Sequence, residues 1–206
     1  MEQVIIAIGR EFASGGHDVA RLLAQHYGIS LYDKNLLKEI ADKKNIDHES
    51  LEEFDERRRN KLLYRSVRGM SSSPSENLAN MQFDFLREKA ASGESFVIVG
   101  RCAEAVLKDE PSLISIFVTA DMEYKLFRVE RDLHLTGTDA KIYIETENMK
   151  RKYYHNSHCK NKWGDARFYD LTINSDKLGI HKTVDLLVDY IDSRMAKREE
   201  DNKKSK

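Results

Sequence analysis

The sequence predicts an α/β protein with a parallel sheet at its centre. Short apolar runs of β type alternate with longer stretches of helical period, and proline is confined to Pro74 and Pro111 among 206 residues. The apolar runs carry no polar face, as expected of strands covered by helices on both sides.

Val4–Ile8 is the first run. It leads through a turn rich in small residues into a helix whose Val19, Leu22, Leu23 and Tyr27 fall at i, i+3, i+4 and i+8, one face of which can lie on a sheet. Ile29–Tyr32 reads as the second strand. Residues 34–94 then exceed what one crossover helix needs; they hold the charge-dense ESLEEFDERRRNKLL and a breaker cluster from Gly69 to Ser75. A helical insert over one end of the sheet is predicted there, with SSSPSE as a mobile turn or helix cap. Phe96–Val99 and Leu113–Val118 are the third and fourth strands, and ADMEYKLFRVERDLH is the helix after them. Residues 150–170 carry six Lys or Arg against two Asp, the most basic folded segment. Leu171–Ile173 is the fifth strand, and Val184, Leu187, Val188 and Ile191 mark a last helix at i, i+3, i+4 and i+7. From Arg194 onward RMAKREEDNKKSK is poor in apolar residues, so residues 194–206 are expected to form a disordered or frayed basic tail. Residues 1–193 thus read as one domain, with an insert at about 34–94 and a lid-like segment at about 136–168.

Lys and Arg number 34 and Asp and Glu 35, a net charge of −1, with 40% hydrophobic and 33% charged residues. That balance suits one soluble globular unit and argues against a surface built for nucleic acid or anionic membrane. No run approaches the roughly 18 apolar residues of a spanning helix, and MEQVIIAIGR lacks the regions of a secretory signal, so a cytoplasmic protein is expected. Oligomeric state is not written in any long heptad. Cys102 and Cys159 have no metal-ligand spacing and read as buried or idle thiols; the seven histidines show no H-E-x-x-H pattern.

The chemistry-bearing stretch is VIIAIGREFASGGHDVARLL. A buried strand, a turn with Gly15 and Gly16, and a helix N-terminus can direct consecutive N–H groups at an anion. The setting is that of the P-loop G-x-x-x-x-G-K-[ST], but the residues differ. Aligned on Gly15, Gly16 takes the lysine place and His17 that of the Ser/Thr; shifted by one, they are His17 and Asp18. Neither register supplies the lysine, so Arg10, at the strand end, is the candidate cation, with Ser14 as a hydroxyl donor. Gly100 and Arg101 close the strand FVIVGR and project toward the same crevice, since ligands in open α/β sheets sit beyond the C-terminal strand ends. Asp33 stands at the equivalent edge after the second strand, as a metal-water ligand, an acceptor contact or a helix N-cap. Arg128 and Arg131 follow the fourth strand, and Lys150, Arg151, Lys152, Lys160 and Lys162 supply the mobile cations a phosphoryl-transfer lid needs. Tyr153, Tyr154 and Trp163 lie among them. They suit packing of the lid on the body, or, as a less favoured alternative, stacking on nucleic-acid bases.

GREFASGGHDVARLLAQHYGISLYDKNLL, VIVGRCAEAVL and KWGDARFYDLTINSDKLG, in that order, resemble the cytidylate-kinase-like family, relatives of the nucleoside monophosphate kinases, over residues 4 to 193. The resemblance implies a three-layer P-loop kinase fold with a central parallel five-stranded sheet, a helical acceptor-binding insert and a basic lid. It implies ATP with Mg²⁺, a CMP- or dCMP-like acceptor or related small molecule, and donor-base contacts around Asn174. In similar kinases an Asp precedes the Gly-Arg pair, where this chain has Val99. With no P-loop lysine, a second reading stays open: a nucleotide- or phosphometabolite-binding protein with little turnover. No metal ligand is singled out.

Overall fold

A computed structural model of the chain describes residues 2–33, 35–44, 66–67, 70–71 and 74–204. The charge-dense stretch predicted as helix within the insert, and residues 69, 72 and 73 of the breaker cluster after it, lie outside the described residues.

The elements run β1 (Ile5–Arg10), α1 (Gly16–Tyr27), β2 (Ser30–Tyr32), α2 (Asn35–Lys44), a short antiparallel hairpin of β3 (Ser66–Val67) and β4 (Met70–Ser71), α3 (Pro74–Ala91), β5 (Phe96–Val99), α4 (Ala103–Val106), β6 (Leu113–Thr119), α5 (Met122–Leu133), α6 (Gly137–His158), β7 (Leu171–Asn174) and α7 (Gly179–Lys204). All five predicted strands are present. They form one parallel sheet in the order β2-β5-β1-β6-β7.

Alternation along the strands builds two cores. Ile5, Ala7, Phe96 and Ile98 face α2, α3 and α4, where Leu36, Ile40, Leu86 and Leu107 are buried; Ile6, Ile8, Val97 and Val99 face α1 and α7, packing on Val19, Leu23, Leu187 and Ile191. Each of these large side chains, fully removed from water, contributes about 1.5–3 kcal/mol, so the helix-sheet-helix layering follows from strands apolar on both faces.

Two expectations are corrected. The 34–94 interval is not all an appendage: α3 lays Leu78, Phe85, Leu86 and Ala90 onto the sheet core, and Pro74 of SSSPSE opens that helix, a position where proline loses no hydrogen bond. The basic tail is not frayed through Lys204. α7 continues across it because Met195 packs on the core and Arg198 reaches back to the start of the chain, donating to the Glu2 carboxylate at 3.0 Å and to the carbonyls of Gln3 (2.5 Å) and Pro111 (3.1 Å). Among the described residues no helix is long and apolar enough to cross a membrane.

The register positions the site. Ile8 pairs with Val99, the last residue of β5, and the Gly100 N–H donates to the Ile8 carbonyl at 3.0 Å, so β1 runs on two residues and sets Arg10 beside Gly100 and Arg101.

Candidate active site

The loop from Glu11 to Gly15 owes its shape to two left-handed residues, Ala13 (φ 58°) and Gly15 (φ 76°). Gly15 caps α1, whose first N–H groups have no partner within the helix and are left for an anion. Gly16 is ordinary helix; it is glycine because a Cβ there would stand 2.5 Å from the Arg10 Cβ. Ser14 differs from expectation. Its hydroxyl is fully buried and donates to the Glu11 carbonyl at 2.9 Å, while its own carbonyl accepts from Ser175 at 2.5 Å, so its side chain holds the loop together and does not line the cavity.

Glu11 tethers the loop to the body. Its Oε2 accepts from Thr119 Oγ1 at 2.5 Å and from the Lys125 ammonium at 2.8 Å, and Lys125 is 7% exposed at the side chain. Burial raises the Glu11 pKa, but the bonds from Lys125 and Thr119 outweigh it and hold the group below the usual carboxylate value. On the other side α6 grips the loop: Asn148 Oδ1 accepts from the Phe12 N–H at 2.6 Å, and Arg151 donates to the Arg10 carbonyl at 3.3 Å with its guanidinium 5.3 Å from the Phe12 ring centroid.

Beyond the strand ends lies a cavity of about 670 Å³, within the size range of small-molecule sites. Arg10, Arg101 and Arg151 all line it. The Arg10 guanidinium crosses to Gly100, where a Cβ would meet its Nη1 at 2.2 Å. Burial, then the charges of Arg151 and Arg101, push its pKa well below the usual arginine value, against the pull of Asp33 and Tyr169. Cations crowded into such a site gain most when an anion is between them. Arg128, also on the cavity wall, donates to Asp18 at 2.5 Å; His17 pairs through Nε2 with Asp33 at 2.8 Å. His17, which takes the lysine place in one of the two registers, thus faces a carboxylate, while Arg10 turns to the β5 side.

Position on α6, and beyond its end, separates the lid cations. Lys150 and Arg151 line the cavity, whereas Lys152 and Lys160 are exposed and outside its lining, so Arg151 stands where the sequence pointed to Lys152 and Lys160. Arg131 is likewise outside, paired with Asp132 at 2.6 Å. Asn174, at the end of β7, donates to Asp121 at 2.7 Å beside the Lys177–Asp121 ion pair and does not line this cavity. Two of the three lid aromatics pack on the body, Trp163 meeting Phe117 edge-on at 5.3 Å and Tyr154 donating to Gln82 at 3.0 Å, while Tyr153 is exposed. The thiols are not idle neighbours of nothing: Cys102, at the start of α4, and Cys159, at the end of α6, come together with His155.

Gly100 offers a direct test of the arrangement. Gly100→Ala imposes φ +76° on a residue with a Cβ and drives that Cβ into the Arg10 guanidinium. The expected result is a stability loss of about 1–2 kcal/mol from the left-handed backbone, read by denaturant titration. Weaker anion binding should accompany it, because Arg10 must move.

The chain has relatives in sequence and in fold. The cytidylate kinase-like family matches residues 5–177. A cytidylate kinase of Methanopyrus kandleri is 27% identical over 203 residues, covering 92% of this chain and 93% of that protein; one of Methanosarcina barkeri is 26% identical over 183 residues, covering 87% and 92%. Among solved structures, an uncharacterized protein of Eubacterium ventriosum is 40% identical with a TM-score of 0.74, covering 93% of this chain and 99% of that one. A shikimate kinase of Bacteroides thetaiotaomicron, 14% identical over 92% of this chain and 98% of its own, superposes with a TM-score of 0.55, which shows the shared three-layer P-loop kinase fold.

Proposed function

The chain belongs to the cytidylate kinase-like family and is a phosphotransferase of the nucleoside monophosphate kinase type; from that premise we propose that it transfers the terminal phosphoryl group of ATP to CMP, dCMP or a closely related small acceptor. The observation that carries the acceptor side is the convergence of Arg10, Arg101 and Arg151 on one cavity that Gly15 and Gly16 also line. Phosphoryl transfer is mostly positioning and charge neutralisation, and three guanidiniums beside an anion-binding helix terminus supply both.

The loop N–H groups of residues 15–17 would take the donor phosphates, with Arg128 neutralising charge as it opens from Asp18. Asp18 and Asp33, carboxylates that line the cavity beside the loop, would hold Mg²⁺ directly or through water, and the ion would supply charge neutralisation for the donor phosphates. Arg101 and Arg10 would hold the acceptor phosphate, and Arg151 would close the site because it is fixed to the loop through the Arg10 carbonyl. Lys150 adds a cation from the same turn. A small nucleotide substrate in a cytoplasmic setting is the partner this site fits.

The loop without a lysine in either register, its His17 already paired with Asp33, favours one second reading: a nucleotide binder with slow turnover. A thermal-shift series with ATP, ADP, CMP, dCMP, UMP and AMP, with and without Mg²⁺, followed by coupled turnover, separates the two. A ligand at 100 times its Kd stabilises by about 2.7 kcal/mol, a rise of about 5–11 °C for a chain this size. Shifts from a donor and an acceptor with turnover support transfer; shifts without turnover support the binder; no shift from any nucleotide removes both.

A further inference from the structure

We infer that Cys102, Cys159 and His155 form a binding site for a soft divalent cation, Zn²⁺ by preference, that joins the end of α6 to the turn carrying Arg101. The two Sγ atoms and a ring nitrogen of His155 lie within 4.8 Å of one another. Zinc holds sulfur at about 2.3 Å and imidazole nitrogen at about 2.0–2.1 Å, so tetrahedral ligand atoms stand roughly 3.5–3.8 Å apart, a small side-chain adjustment from the observed spacing. Cys102 is 2% and His155 4% exposed, and two thiolates with one imidazole select zinc over magnesium or calcium.

Glu104 is the second observation. Its carboxylate is buried and bound to His155 Nε2 at 2.5 Å, the carboxylate–histidine pairing that orients a ligating imidazole and raises its basicity. With Nε2 so held, the longer Nδ1 contact, 3.2 Å to Asn156 Oδ1, is the one a metal replaces. Binding displaces the thiol protons to solvent and involves no change of oxidation state. Cys102 and His155 also line the large cavity, so the fourth coordination place opens toward it and is filled by water or by a ligand there.

The site makes a strut between two parts of the proposed anion site. Cys102 follows Arg101 directly, and Cys159 ends the helix that carries Arg151. The inference does not depend on which reaction the cavity performs.

The test uses the whole reduced chain, loaded with Zn²⁺, dialysed and analysed for metal, then with Co²⁺ in its place. One zinc per chain and a sulfur-to-cobalt charge-transfer band are expected. Both should be lost in C159S, whose changed residue is only half-buried, and in C102S. In E104Q, which keeps an acceptor for Nε2–H, affinity should fall by about 10–100-fold while the circular dichroism is unchanged. Equal metal in wild type and the cysteine variants, or no cobalt band while both thiols titrate as free, overturns the site. A chain lighter by two hydrogens that recovers its mass on reduction also overturns it, in favour of a disulfide.

Discussion

Arg101→Ala is expected to lower kcat/KM for the acceptor by about 10²–10³, the range seen when a preorganised charge-stabilising donor is removed from a water-poor site. The loss should enter through the acceptor's KM and kcat, leaving the donor's KM nearly unchanged, because Arg101 sits at the β5 end beside Arg10 and not over the Gly15–Gly16 loop. Alanine keeps the Cβ and the left-handed backbone, so the fold is not relieved or strained anew. Lys152→Ala and Lys160→Ala provide the contrast: both are exposed and off the cavity wall, so each should change turnover by less than about threefold. Steady-state kinetics on the four proteins settles the assignment. A donor-side defect in Arg101→Ala, or a large loss in either lysine variant, would show that the site is laid out differently.

Glu11→Ala is expected to cost about 3 kcal/mol of stability, the lower end of the range for removing one partner of a buried ion pair, since the Glu11 side chain keeps some solvent contact. At about 2–4 °C per kcal/mol for a chain this size, the melting temperature should fall by about 6–12 °C. Lys125, nearly without solvent, then loses the carboxylate it donates to at 2.8 Å. Glu11→Leu combined with Lys125→Met should recover much of the loss, because no charge is then stranded. The pH dependence has a defined sign. Glu11's folded pKa is lowered, so its contribution is whole above the unfolded value of about 4.3 and disappears as the pH falls through the folded value. Glu11→Ala should therefore show a flatter acid limb than wild type in calorimetry, and an unaltered limb would remove Glu11 from the acid response.

The sheet's centre was legible because strands buried on both faces leave an apolar run, as β1, β5 and β6 do, whereas the edge strands β2 and β7 are only partly buried and were read from shorter apolar stretches bounded by turn residues. The strand, turn and helix around the Glu11–Gly15 loop were legible as well. What the residues around it do was less so. Ser14 has the composition of a ligand hydroxyl, but its burial depends on Ser175, distant in sequence. Arg151 and Lys152 are adjacent cations on a helix with charge on every side, so composition gives no phase to choose between them. Glu11, Lys125 and Thr119 are ordinary residues until the fold joins them across more than a hundred positions. The same holds for Cys102 with His155 and Cys159, whose spacing along the chain resembles no ligand motif. Arg198 shows why the tail was misjudged: one long side chain with three distant acceptors anchors a helix that its apolar content would not.

Gly100, Arg101 and Cys102 are three consecutive left-handed residues, at φ 76°, 58° and 55°. Only the first is glycine, so the other two side chains are kept at about 1–2 kcal/mol each against their backbone preference. That is a sizeable part of the 5–15 kcal/mol that separates a folded domain from its unfolded chain. Selection for thermal robustness alone would drift toward glycine at 101 and 102 and erase a guanidinium and a thiol from the cavity. Heat tolerance and site chemistry therefore pull in opposite directions at this turn, and an engineering campaign on this scaffold should look for its stabilising changes elsewhere.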